Sequence, residues 1–93
     1  MPQFSANLSM LFPERPFLQR FAAAAQAGFS AVEFMFPYAF AIADLRDAIA
    51  HSKVRVVLHN LPPGDWDAGD RGIACHPNRT EEFRDSVAQA IAY

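Results

Sequence analysis

The stretch Leu58–Cys75, LHNLPPGDWDAGDRGIAC, decides how this chain is read. An apolar run, Val54 to Asn60, ends on His59 and Asn60 and opens into a long segment rich in Pro, Gly and Asp. Loops of this length without secondary structure are uncommon in compact domains and serve as lids, binding loops or disordered linkers. Disorder fits poorly, because Trp66 and Ile73 belong to the aromatic and β-branched types that disordered segments lack. The stretch therefore reads as an ordered functional loop that follows a strand.

Working outward, two more runs have strand character, Gln3 to Leu8 and Ala31 to Phe36. A helix follows each run. After the first, Phe17, Leu18, Phe21, Ala24, Ala25 and Gly28 share one face of a 3.6-residue repeat, with Pro13 and Pro16 near its start and Gly28 at its stop. After the second, Ile42, Leu45, Ala48 and Ile49 make a shorter stripe, and Ala39 and Ala41 sit where a capping Asp or Ser is expected. Beyond the loop, Asn78 and Glu81 have capping-box-like spacing, followed by Phe83, Val87 and Ile91.

The order β-α-β-α-β-loop-α, with strands recurring at roughly 25-residue intervals, is the rhythm of parallel βαβ units. Right-handed crossovers then set the strands side by side and bring their C-terminal ends to one rim, where function belongs. The expected fold class is α/β, specifically the first three βα units of a (β/α)8 barrel. Residues 1–93 would form the N-terminal part of one barrel domain. The unpaired sheet edges would need a partner or further strands.

Composition narrows the function. At 93 residues the chain is too short for a complete barrel of about 250 residues. No apolar run approaches the roughly 18 residues a membrane helix needs, and no Lys/Arg-led signal segment opens the chain, so a cytoplasmic protein is expected. Cys75 is the single cysteine, which excludes an internal disulfide and a multi-thiolate zinc site; burial is its expected state. A net charge of −2 without a basic block argues against nucleic acid, including an AP-endonuclease-like groove, and for a small-molecule partner.

Five side chains stand out as candidates for holding that small molecule. Asn7 ends the first strand and either orients a substrate hydroxyl or closes the strand-to-loop turn. Glu33 lies within the second strand, where a carboxylate is costly unless it lines a site or pairs with a cation such as Arg55. His59 ends the third strand and has the chemistry of a proton donor or acceptor. In the loop, Trp66 either covers a ligand or packs the loop down, and Arg71 either grips a carboxylate or pairs with Asp67 or Asp70. His51 and His76 read as surface or loop residues. No phosphate loop, nucleophile elbow or paired-His motif is present.

The segments FSANLSMLF, VEFMFPY, LHNLPPGDWDAGDRGIACHP and EEFRDSVAQAIAY together resemble the N-terminal part of the hydroxypyruvate isomerase family, relatives of the 2-oxo-tetronate isomerases and the xylose-isomerase-like barrels. The resemblance covers essentially the whole chain. It implies an enediol interconversion of hydroxypyruvate and 2-hydroxy-3-oxopropanoate within glyoxylate metabolism. It also implies a divalent metal, magnesium or manganese, held with the acid and base on later strands. On that reading this segment binds no metal and supplies no catalytic residue. Its candidates Asn7, Glu33, His59, Trp66 and Arg71 shape the pocket for a 2-oxo acid. The chain alone is expected to be inactive, with self-association through its open edges as the alternative role.

Overall fold

Three parallel strands, β1 (Ser5–Asn7), β2 (Ala31–Phe34) and β3 (Arg55–His59), pair in the order β1-β2-β3 in a computed structural model that describes residues 1–93. Neighbours in sequence are neighbours in the sheet, as in a barrel wall; a doubly wound sheet would reverse order at a switch point. The helices are α1 (Phe17–Gln26), α2 (Ile42–Ser52) and α3 (Thr80–Ala92). The chain forms two compact units, Met1–His59 with the sheet, α1 and α2, and Asn60–Tyr93 with the long loop and α3.

In the first unit, period-2 alternation sends Ala6, Leu8, Val32 and Phe34 to the face covered by α1, and all four are buried. Phe34 meets Phe17 and Phe21 edge-on, at ring separations of 5.4 and 5.7 Å. Such offset aromatic contacts add to area burial. Helix α1 packs against α2, from which Leu45 is buried. As the sequence indicates, α1 stops at glycine: Gly28 takes φ +98, its N–H reaches Ala25 O and that of Phe29 reaches Ala24 O, which closes the helix end with a left-handed residue. Helix α2 starts at Ala41 without a side-chain cap, as the alanines there foreshadow, and ends on Lys53 in the left-handed region at φ 60.

The strands are shorter than the apolar runs. In β2 the ladder stops after Phe34 because the Met35 N–H donates to Ser9 Oγ at 2.8 Å, and Pro37 has no N–H to continue it. Strand β3 carries a bulge: Val32 pairs with Val56 but Glu33 pairs with Leu58, leaving Val57 as the extra residue. That slip brings His59 into register with Phe34. It leaves Val57 and Leu58 exposed on a strand that has a neighbour on one side only.

In the second unit, α3 begins one residue after Arg79, and no side chain caps it. The Asn78/Glu81 box therefore does not form; Glu81 instead pairs with Arg84 and Asn78 lies before the cap. The apolar stripe of α3 is only partly covered, with Ile91 at 79% exposure and Ser86 the buried residue of the helix.

Phe21 is fully buried and touches both Phe17 and Phe34. Phe21→Ala is expected to cost about 3–5 kcal/mol, a large part of the roughly 5–15 kcal/mol that holds a small domain. Thermal unfolding followed by circular dichroism should show the cooperative transition lost or moved far down; an unchanged melt would refute this assignment of the core.

Candidate functional site

The rim of the first unit is built where the strands end. Asn7 and Glu33 are register partners on the face turned away from α1, opposite buried Val32 and Phe34. Asn7 Oδ1 accepts the Ser9 N–H at 3.0 Å, so the turn-closing role is real, yet its Nδ2 donates to no protein acceptor and remains available. The half-buried Glu33 forms no ion pair; Arg55 pairs with Ala31, two residues away along β2, and its side chain is solvent-exposed, so the expected Glu33–Arg55 bridge is absent. Arg20 secures this turn from α1, donating from Nη1 to Leu8 O at 2.8 Å and from Nε to Arg15 O at 2.9 Å.

His59 is placed differently from Asn7 and Glu33. The Val57 bulge sets its ring parallel to Phe34, 6.1 Å between centroids and 14° between planes, on the side of Phe17 and Phe21. Tyr38 closes on it edge-on, with its hydroxyl 3.4 Å from His59 Nδ1. The imidazole is thus held in an aromatic setting that orients its two nitrogens unequally.

The long loop is ordered by its own hydrogen bonds. Asp65 Oδ1 accepts the Ala68 N–H, the Gly69 N–H reaches Trp66 O, and the Asp70 N–H reaches Asp65 O. Arg71 lies over Trp66 with its Cζ 3.7 Å from the ring centroid, a cation–π stack, and its Nη1 donates to Trp66 O and Asp70 O. Arg71 therefore pairs with no carboxylate, and its Nε and Nη2 have no protein acceptor. Asp70 instead receives Arg79 through both carboxylate oxygens, at 3.1 and 2.9 Å, and Arg79 also grips Glu82 at 2.7 Å.

The structure brings Asn7 and Glu33 together and stacks Trp66 with Arg71. His59 joins Phe34 and Tyr38, and Cys75, expected to be buried, is exposed. Ser9, Arg20, Tyr38 and Arg79 also hold these sites in place; Arg79 has a local signal in Glu82 three residues on, whereas the others act across long separations that leave no pattern in the sequence. A hollow of about 320 Å3 at the opposite strand ends, against Pro2, Phe4, Gly28 and Phe29, contains no titratable side chain.

All 93 residues align with hydroxypyruvate isomerase of Escherichia coli strain K12 at 62% identity. That likeness runs the whole length of this chain. The same full-length match to a 2-oxo-tetronate isomerase of Cupriavidus necator is 50% identical, and the chain spans 36% of the length of each of these relatives. No family model matches the chain. The crystal structure of AP endonuclease, family 2, from Brucella melitensis superposes with a TM-score of 0.97 at 50% identity, over 100% of this chain and 36% of that one. The three βα units of this chain thus match the N-terminal part of a TIM-barrel protein.

The divalent metal that the resemblance implies finds no ligand set within these residues: no three His, Cys, Asp or Glu side chains come close enough to hold one. Asn7 and Glu33 offer oxygens, but two residues do not make a cage.

Hydrogen bonds from Arg79, and then from the Asp65 N–H, hold the Asp70 carboxyl down from 3.8 to about 2, with His76 adding a little. Arg79 likewise lowers Glu82, which competes for the same guanidinium. A depressed carboxyl contributes order that is complete above its ordinary value and is lost as pH falls through the folded one. Emission from Trp66, the single tryptophan, should accordingly stay constant down to pH 3.8 and change between there and about pH 2. Asp70→Asn should abolish that step, and a flat wild-type signal would refute the role of the pair.

Proposed function

We propose that this chain is the substrate-holding portion of a hydroxypyruvate isomerase. The observation that carries this reading is the 62% identity over an alignment that spans all 93 residues. The reaction shifts hydrogen between neighbouring carbons: a proton leaves the hydroxymethyl carbon of hydroxypyruvate, the electron pair flows toward the neighbouring carbonyl, whose oxygen takes up a proton to give an enediol, and a proton then returns at the former carbonyl carbon as the terminal hydroxyl gives up its own and becomes the aldehyde. The product, 2-hydroxy-3-oxopropanoate, has the same atoms.

Each unit, taken by itself, presents groups suited to a 2-oxo acid. Arg71, held on the Trp66 face with Nε and Nη2 open, takes the substrate carboxylate in a two-pronged grip. In the first unit, taken by itself, Asn7 Nδ2, the Glu33 carboxylate and the His59 ring beside Tyr38 are groups able to meet the oxygens of a 2-oxo acid. The acid, the base and the divalent metal, magnesium or manganese, come from elsewhere in the barrel. The net charge of −2 favours this reading over the nucleic-acid chemistry named for the Brucella melitensis structure.

Two further readings each have a specific observation behind them. The 50% identity to 2-oxo-tetronate isomerase favours a four-carbon 2-oxo acid, and turnover of the full-length protein on three- and four-carbon acids separates the two. The exposed Val57 and Leu58 on β3 favour self-association, which gel filtration over a range of concentrations would reveal as a rising apparent mass. A cytoplasmic setting is part of the same proposal; no helix is long and apolar enough to cross a membrane.

Hydroxypyruvate added to the 93-residue chain should change Trp66 emission saturably, and Arg71→Met should weaken that binding by about 10- to 100-fold, the worth of one or two charge-assisted hydrogen bonds. Absence of any saturable change would remove Arg71 from the site. An assay of the same chain with hydroxypyruvate and magnesium or manganese should show no turnover; metal-dependent turnover would overturn the assignment of the acid and base to other strands.

A further inference from the structure

Trp66 is 40% exposed, so burial alone does not hold the Trp66–Arg71 stack in place. Beside the bonds to Trp66 O from Arg71 and Gly69, several of the hydrogen bonds around it meet at Asp70. The main chain of Asp70 belongs to the stack: its N–H donates to Asp65 O and its carbonyl accepts Arg71 Nη1 at 2.7 Å. Its carboxylate faces the other way, taking the Asp65 N–H at 2.8 Å on Oδ2 and both terminal nitrogens of Arg79. Arg79 sits at the start of α3 and is fixed in turn by Glu82, which takes its Nε and Nη2 at 2.8 and 2.7 Å. A guanidinium tied on both edges loses little further entropy in holding Asp70.

A second observation points to the same joint. Gly64 has φ +86, and a Cβ there would collide with Asp70 Oδ2 and come within 2.8 Å of Ile73 Cγ2. The space that receives the Asp70 carboxylate exists because residue 64 has no side chain. The exposed Arg84–Glu81 pair one turn further along α3 touches none of this.

We infer that Asp70 and Arg79 are positioning residues whose ion pair sets the Trp66–Arg71 stack in the conformation that receives a substrate carboxylate. This rests on the reading of Arg71 as the carboxylate grip. Neither Asp70 nor Arg79 touches the substrate: Asp70 acts through its own backbone on Arg71, and Arg79 acts through Asp70. Gly64 is the vacancy that lets the two meet.

The test uses the 93-residue chain with its single tryptophan, acrylamide quenching of Trp66, and titration with hydroxypyruvate. Arg79→Ala is expected to make Trp66 more quenchable and to weaken hydroxypyruvate binding about 10-fold, the worth of one hydrogen bond to a charged group. The far-UV spectrum should stay that of the parent. Arg79→Lys should recover part of the loss, Gly64→Ala should reproduce the Arg79→Ala result, and Arg84→Ala should change neither readout. Unchanged quenching and affinity in Arg79→Ala would overturn the inference, as would a loss that appears only together with loss of α3 helicity. If the parent chain does not bind hydroxypyruvate, the carboxylate reading fails by itself. Quenching of Trp66 then decides the positioning claim: an altered value in both Asp70→Asn and Arg79→Ala supports it, and parent-like values overturn it.

Discussion

Phe34 packs edge-on against Phe17 and Phe21, and because side chains alternate along a strand, this contact also decides where its neighbours point. With Phe34 and Val32 drawn to the helix side, Glu33 has only the opposite face. Parallel pairing with β1 then carries Asn7 to the same place, since Asn7 is the register partner of Glu33. The polar rim is a by-product of aromatic burial. Nothing in the chemistry of Glu33 itself selects its position; the apolar residues on either side do.

The loop obeys a different economy of forces. It has one well-buried apolar anchor, Ile73, and gains its shape from backbone hydrogen bonds that its own aspartates accept. Carboxylates suit that work because each oxygen can accept more than one N–H, so Asp70 serves the loop backbone and an arginine at once. A loop held this way can be ordered while its aromatic residue stays in solvent. That combination suits a surface that must be ready for a polar ligand.

How much of this was legible in the sequence follows from the range of each interaction. The α1 stripe and its glycine stop are local, and both are found where the periodicity of Phe17, Phe21 and Ala24 places them. The parallel order follows from the alternation of strand and helix signals. Strand ends were overestimated because apolar runs continue past the ladder: Phe36 and Pro37 are apolar for reasons of packing, while Met35 gives its N–H to Ser9, 26 residues earlier. Arg20, Tyr38 and Arg79 escaped notice because an arginine or tyrosine on a helix or turn looks the same in sequence whether it faces solvent or reaches a distant carbonyl. Cys75 departs from the burial that is usual for a free cysteine, because the loop around it has no core to receive it.

The extra residue at Val57 has a geometric consequence beyond the aim of His59. A bulge bends its strand and increases the local right-handed twist, so the outer edge of β3 is curved rather than straight. Curvature is what separates a sheet that closes from one that stays open. Any strand that adds to that edge must follow the bend, so the direction in which the wall turns is already written into five residues, Arg55 to His59, before another strand is laid beside them.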